Sequence, residues 1–234
     1  TFTYEMETRK IAVGMEGLSL SVDTSGFSLA GGFLRENAEK ETYSGFVRIQ
    51  AGSYGIALYG AYEAKPYPSA FLFGMLKGTL GGPPCFLVTG MAAGFGYSRT
   101  LVVPSVEALE DFSLMAVVTG KKTADDMRKE ADKEFPAKSG ANWIAAGITA
   151  NSFQMVDLAV LATVLVDQGF CLNLLGRADV VIPKGEEKPF AEVGLLIKLT
   201  IDPGSGLIPV EGVLTKDSYV FSKDCHISGG FAFY

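Results

Sequence analysis

Side chains able to do acid, base or nucleophilic chemistry are few and scattered. There is one histidine, His226, and three cysteines, Cys85, Cys171 and Cys225. A zinc site needs several His or Cys ligands at set spacings, and the adjacent Cys225–His226 pair is not such a spacing. Nor does that pair suit a nucleophile and its base, because neighbours on a strand point to opposite faces. The odd cysteine count argues against a disulfide framework. Three thiols used as small apolar residues is the simpler reading, with one disulfide and a spare thiol left open. Acid–base catalysis needs two carboxylates at a defined separation, one with a perturbed pKa. The acids in apolar surroundings are Asp157, Asp179 and Glu211. Asp157, between Phe153–Val156 and Leu158–Val166, reads as a strand-end or turn residue, or as a buried carboxylate with a partner such as Arg177. Gly94, Gly96 and Arg99 come nearest to a phosphate loop, but Arg99 fills the third glycine's slot and no clear helix opens there. A strand relieved by glycine fits better. Walker A, nucleophile-elbow and HExxH patterns are absent, as is any N-glycosylation sequon. This inventory assigns no catalytic residue, no metal and no cofactor, and it argues against an enzyme. A hydrolase with an unrecognised acid site is the lesser alternative.

Whatever the chemistry, the chain has ample material to position it. Its 234 residues (24.9 kDa) can bury a sizeable core. Charged residues make up 20% and mean hydropathy is +0.25, which excludes disorder as the main state. A net charge of −6 and a pI of about 4.9 argue against nucleic acid as a partner. The sequence opens on Thr1 and ends in an apolar stretch, so it reads as a fragment of a larger polypeptide, with the rest of that polypeptide or another protein as partner.

Alternation dominates the pattern. Leu18, Leu20 and Val22 alternate with Ser19, Ser21 and Asp23. Tyr54, Ile56, Leu58 and Tyr62 share one face of a second run. Val193, Leu195, Ile197, Leu199 and Ile201 form the cleanest period of two, and this set is expected to face the main core, with Ile197→Asp disruptive and Lys198→Ala nearly silent. Turn residues separate the runs: Asp23–Gly26, Gly81–Pro84 and Asp202–Gly206. From Lys121 to Lys138, 11 of 18 residues are charged. Thr123 precedes Asp125 and Asp126 as an N-cap would, Met127, Ala131 and Phe135 share one face, and Pro136 ends the pattern, predicting a surface helix over 123–135. Pro104-Ser105 with Val106, Leu109 and Phe112 suggests a shorter helix. The expected fold is therefore mainly β: an antiparallel sheet, sandwich-like or closed or curved, in one domain over 1–234. A β portion at 1–100 and another at 140–234 flank a short helical insertion at 104–138. Residues 52–80 and 169–201 look alike and are compatible with a duplication.

Between Thr42 and Ser98 only Arg48, Glu63, Lys65 and Lys77 are charged. That is sparse for a sheet with one face in water. Three readings are open for these strands: an internally packed core, a groove holding lipid or another apolar ligand, or part of a membrane β-barrel. The residues that would line an apolar ligand are Tyr54, Leu58, Tyr62, Phe71, Phe73, Phe95 and Tyr97. The function expected is a non-enzymatic structural or binding segment.

Two stretches carry a family resemblance: Gly94-Phe95-Gly96-Tyr97-Ser98-Arg99-Thr100-Leu101 with Pro104, Val106 and Phe112, and Gly212-Val213-Leu214, Ser218-Tyr219-Val220 and Gly229-Gly230-Phe231-Ala232. Over roughly residues 90–234 the chain resembles a family of large, uncharacterised microbial proteins known only as a domain of unknown function. The resemblance implies a segment of something larger, and no activity, cofactor or catalytic residue.

Overall fold

The period-2 runs become strands, and most joins are short, so most neighbours in sequence pair with each other. The computed structural model describes residues 2–5, 10–13, 17–37, 39, 41–83, 85–123, 126–185 and 189–234. Strands β1 (Phe2–Glu5) and β2 (Lys10–Val13) pair as a separate two-stranded sheet. The main sheet has 13 strands, all antiparallel. They are β3 (Gly17–Thr24), β4 (Phe27–Asn37), β5 (Thr42–Ala51), β6 (Tyr54–Glu63), β7 (Ser69–Gly81), β8 (Leu87–Arg99), β9 (Ala137–Ser152), β10 (Val156–Val166), β11 (Phe170–Ile182), β12 (Ala191–Ile201), β13 (Val210–Leu214), β14 (Tyr219–Val220) and β15 (Gly230–Phe233). Spatial order follows chain order from β3 to β13, with β15 outside β13 and β14 beside β12. Among the described residues nothing pairs with the outer sides of β3 and β15, so the sheet is open. The mainly β, antiparallel fold with a short helical insertion is the one expected, and of its alternative forms the closed one is not adopted.

The one long join, between β8 and β9, is the helical insertion. It carries a 3-10 turn at Val106–Ala108, helix α1 (Ser113–Thr119) and helix α2 (Met127–Glu134). In α2, Met127 and Ala131 are buried as the spacing predicts, with Phe135 at its C-cap. The expected cap is displaced: Asp126 is the N-cap residue, and Thr123 donates to it from both its backbone N–H (2.9 Å) and its hydroxyl (2.8 Å). Asp125 lies outside the described residues. The shorter helix expected near 105–112 is only the 3-10 turn. The longer piece, α1, follows it, and Ser113 to Val118 are all buried. A helix apolar all round survives only when enclosed, and α1 is packed between the sheet and α2.

The insertion covers one face of the sheet, from β6 to β13. Phe71, Phe73 and Met75 of β7, Trp143 and Ala145 of β9, Leu161 of β10, Leu175 of β11 and Leu196 of β12 point into it. Rings run from Tyr59 to Phe71 (5.7 Å between centroids), Phe71 to Phe135 (4.8 Å) and Phe135 to Trp143 (5.5 Å). Glycine makes room for them. A Cβ on Gly96 would stand 2.1 Å from Trp143 Nε1, and one on Gly94 would stand 2.6 Å from the Phe73 ring. The glycine-aromatic stretch is thus a strand under large rings, as its residues suggest. A bulge between Tyr97 and Arg99, with Ser98 at φ 49°, turns Arg99 to the covered face. There its guanidinium donates to the Phe135 carbonyl (2.8 Å) and contacts Glu63 (3.5 Å), over the Phe71 ring. Arg99 thereby ties the end of the insertion to β6.

One expectation about register is reversed. Val193, Leu195, Ile197, Leu199 and Ile201 do not face the core; Leu196, 2% exposed, does. Lys198 shares the covered side and its ammonium donates to the Pro104 carbonyl (2.6 Å). Strand alternation makes the two sets exclusive, and the insertion covers the set with the weaker pattern.

Candidate apolar face

The uncovered face follows from the registers, because cross-strand partners lie on the same side. One row across the sheet reads Leu18, Phe33, Gly45, Gly60, Leu72, Phe95, Ile144, Val164, Leu172 and Ile201. The next reads Leu20, Gly31, Val47, Leu58, Gly74, Ala93, Ala146, Ala162, Leu174 and Leu199. A third reads Val22, Leu29, Ile49, Ile56, Leu76, Met91, Ile148, Val160, Gly176 and Ile197. None of these positions is polar. Arg35, paired with Tyr43 at the margin, is the one charged residue that the strand registers place on this side. Ile144 is 60% exposed while its neighbour Trp143 is 1% exposed. The other face is different again beyond the insertion: Ser19, Ser21, Asp23, Ser28 and Gln50 make it polar over β3 to β5.

Five of the seven residues expected to line an apolar ligand are on the open face: Tyr54, Leu58, Tyr62, Phe95 and Tyr97. Phe71 (2% exposed) and Phe73 (0%) are not; they are buried under the insertion and leave the set. Alternation within β7 is the reason, since Leu72 and Gly74 take the open side. Leu72, Met91, Ile144 and Ile148 belong to the face and were not singled out from sequence. Two depressions lie on it. One of about 520 Å³ spans β6 to β8, with Ile56, Leu58, Leu76, Met91, Ala93 and Phe95 among its walls. Another of about 480 Å³ adjoins it over β4 to β7 and shares Leu58 and Leu72.

The candidate acids Asp157, Asp179 and Glu211 are on the covered side, and the first two are engaged. Asp157 and Asp179 are cross-strand partners beside a polar cavity of about 280 Å³. Lys184 contacts Asp157 (2.6 Å) and Asn151 donates to it (2.7 Å). Burial pushes the Asp157 carboxyl up, but these two donors outweigh it and hold the group below its ordinary value. Arg177, the partner anticipated for Asp157, grips Asp179 instead with two nitrogens (2.5 and 2.7 Å) and also reaches Glu110 (2.8 Å). A general acid needs a raised carboxyl, and Asp157 is its opposite. Lys77 enters the same cavity, and burial lowers its ammonium pKa. All three cysteines are free, as the simpler reading has them, with Cys85 and Cys225 exposed and Cys171 half-buried. Among the described residues no three His, Cys, Asp or Glu side chains group as metal ligands would. No helix among the described residues is long and apolar enough to cross a membrane.

No curated protein and no solved structure matches the chain. One family model does match, over residues 2–234, so the likeness read from the C-terminal half extends across the N-terminal strands as well. The chain belongs to DUF6603, a family of unknown function.

Proposed function

We propose that this chain is a non-enzymatic binding segment that holds an apolar ligand, a lipid acyl chain, on the open face of its sheet. The supporting observation is the uninterrupted apolar surface from β3 to β12. Ten strands about 4.8 Å apart, each giving about seven residues at about 3.3 Å, make a face of roughly 1,000 Å². The largest apolar patch of an ordinary monomer is about 300–600 Å². The depressions of about 520 and 480 Å³ fall within the range of about 300–1,000 Å³ that small-ligand sites occupy. The alternative, a barrel facing a bilayer, shares the apolar band but has less support, because lipid-exposed strand edges would leave backbone groups unsatisfied.

Native mass spectrometry of the chain purified without detergent tests the proposal, together with uptake of a fluorescent fatty acid. The expected result is a lipid-sized adduct and saturable uptake. Ala93→Asp, on an exposed position of the larger depression, should cut uptake at least tenfold with an unchanged circular dichroism spectrum. A bare chain without uptake refutes the proposal. Uptake that requires bilayer insertion transfers the face to the membrane alternative.

A further inference from the structure

Beyond any ligand, the sheet has an edge built to accept a strand. All eight residues of β3 are exposed, and among the described residues nothing pairs with its outer side. Natural edges are normally blunted by Lys, Pro, a bulge or short length. β3 has no Lys, no Pro and no bulge, and its one charge, Asp23, is next to its last residue: its sequence is Gly17-Leu18-Ser19-Leu20-Ser21-Val22-Asp23-Thr24, and its pairing with β4 is regular throughout.

The outward backbone groups can be assigned. The β3–β4 loop has two residues, Ser25 and Gly26, and closes on the pair Thr24 and Phe27. A two-residue loop closes on a hydrogen-bonded pair. Thr24, Val22, Leu20 and Leu18 therefore turn their amides toward β4, and Asp23, Ser21, Ser19 and Gly17 turn theirs outward.

We infer that two copies of this chain join edge to edge through β3, as an antiparallel pair about a two-fold axis at Leu20. This register is self-complementary. Ser19 meets the second copy's Ser21, Gly17 meets Asp23, Leu18 meets Val22, and Leu20 meets itself. The outward set supplies four hydrogen-bonded pairs, about eight backbone hydrogen bonds at two per pair. A typical stable interface carries about ten. A two-fold axis normal to the sheet reverses strand direction but keeps the faces, so both copies present their apolar surface on the same side. Symmetric pairing of this kind is the commonest closed assembly.

Analytical ultracentrifugation across the micromolar range should show a concentration-dependent dimer. Ser21→Pro removes an outward donor and leaves the β4 ladder intact, the one placement an edge strand tolerates. It should give a monomer with an unchanged circular dichroism spectrum. Cross-linking reads the register independently, should that variant fail to fold. In a Cys85→Ser, Cys225→Ser background, Leu20→Cys should oxidise to a covalent dimer, because facing Cα atoms of such a pair stand about 4.5 Å apart, within disulfide reach. Val22→Cys should not, its own counterpart lying about four residues, or 13 Å, away. A monomer at every concentration overturns the inference. So does a dimer that survives Ser21→Pro, which would assign association to the apolar face, or equal cross-linking at both positions.

Discussion

Leu161 and Val160 are consecutive in β10, and shortening each to alanine measures what the helical cover is worth. Leu161 is 0% exposed and Val160 is 44% exposed. Leu161→Ala removes three buried carbon groups, about 2.4 kcal/mol of transfer at about 0.8 per group. A cavity against the enclosed insertion brings the total into the range of about 2.7–5 kcal/mol measured for core leucines. Val160→Ala removes two groups a little over half buried, about 0.9 kcal/mol, and the open face leaves no cavity. The expected ratio is therefore at least three to one. Urea unfolding followed by circular dichroism reads it as a fall in midpoint at constant slope. With a slope of about 3 kcal/mol per molar, Leu161→Ala lowers the midpoint by about 1 M or more and Val160→Ala by about 0.3 M. Equal losses, or a larger loss for Val160, would mean that the strand is turned over or that the open face is the packed one.

Two further outcomes follow from the covered side. Gly96→Ala places a Cβ 2.1 Å from Trp143 Nε1, so the indole must move; the loss should be about 1–3 kcal/mol, the usual cost of overpacking, with a shift in the emission of this single tryptophan. Glu134 accepts the Ser113 N–H at the start of α1 with both carboxylate oxygens (3.1 Å each). Burial nevertheless outweighs those bonds and raises its carboxyl above the ordinary value. The folded chain therefore holds the proton more tightly than the unfolded one, and this group's contribution to stability falls as pH rises above about 4.5. Glu134→Gln should match the parent in acid and gain on it toward neutral pH. A variant that loses ground instead would make the charged cap the stronger effect.

Much of the fold is legible in residue types. Turn chemistry at Gly81–Pro83 and Asp202–Gly206 separates the strands where expected, and Met127, Ala131 and Phe135 mark the inner side of α2. Two things are not legible, for physical reasons. The chain from Ser113 to Thr119 has Val117, Val118 and no charge, a local preference closer to strand. It is helical because enclosure on every side decides, not propensity. The side of each strand that becomes core is equally hidden, because it depends on where a distant insertion lands. In β7 both sides are apolar, Phe71, Phe73 and Met75 against Leu72 and Leu76. In β12 the cleanest alternation marks the uncovered side, while the covered side mixes Gly194, Leu196 and Lys198. Period therefore finds the strand and cannot orient it.

The insertion also divides the molecule by how readily its parts open. It rests on β6 to β13, whereas β3 and β4 are held by little more than hydrogen bonds to one another and to β5. In a meander each strand depends on its immediate neighbours, as repeats do in an array. Opening free energy then rises from the margins to the middle. In the monomeric Ser21→Pro variant, amide protons of β3 should exchange first and those of β9 and β10 beneath α1 last. The ladder between β8 and β9, joined through the longest excursion of the chain, becomes the slowest-exchanging seam of the sheet.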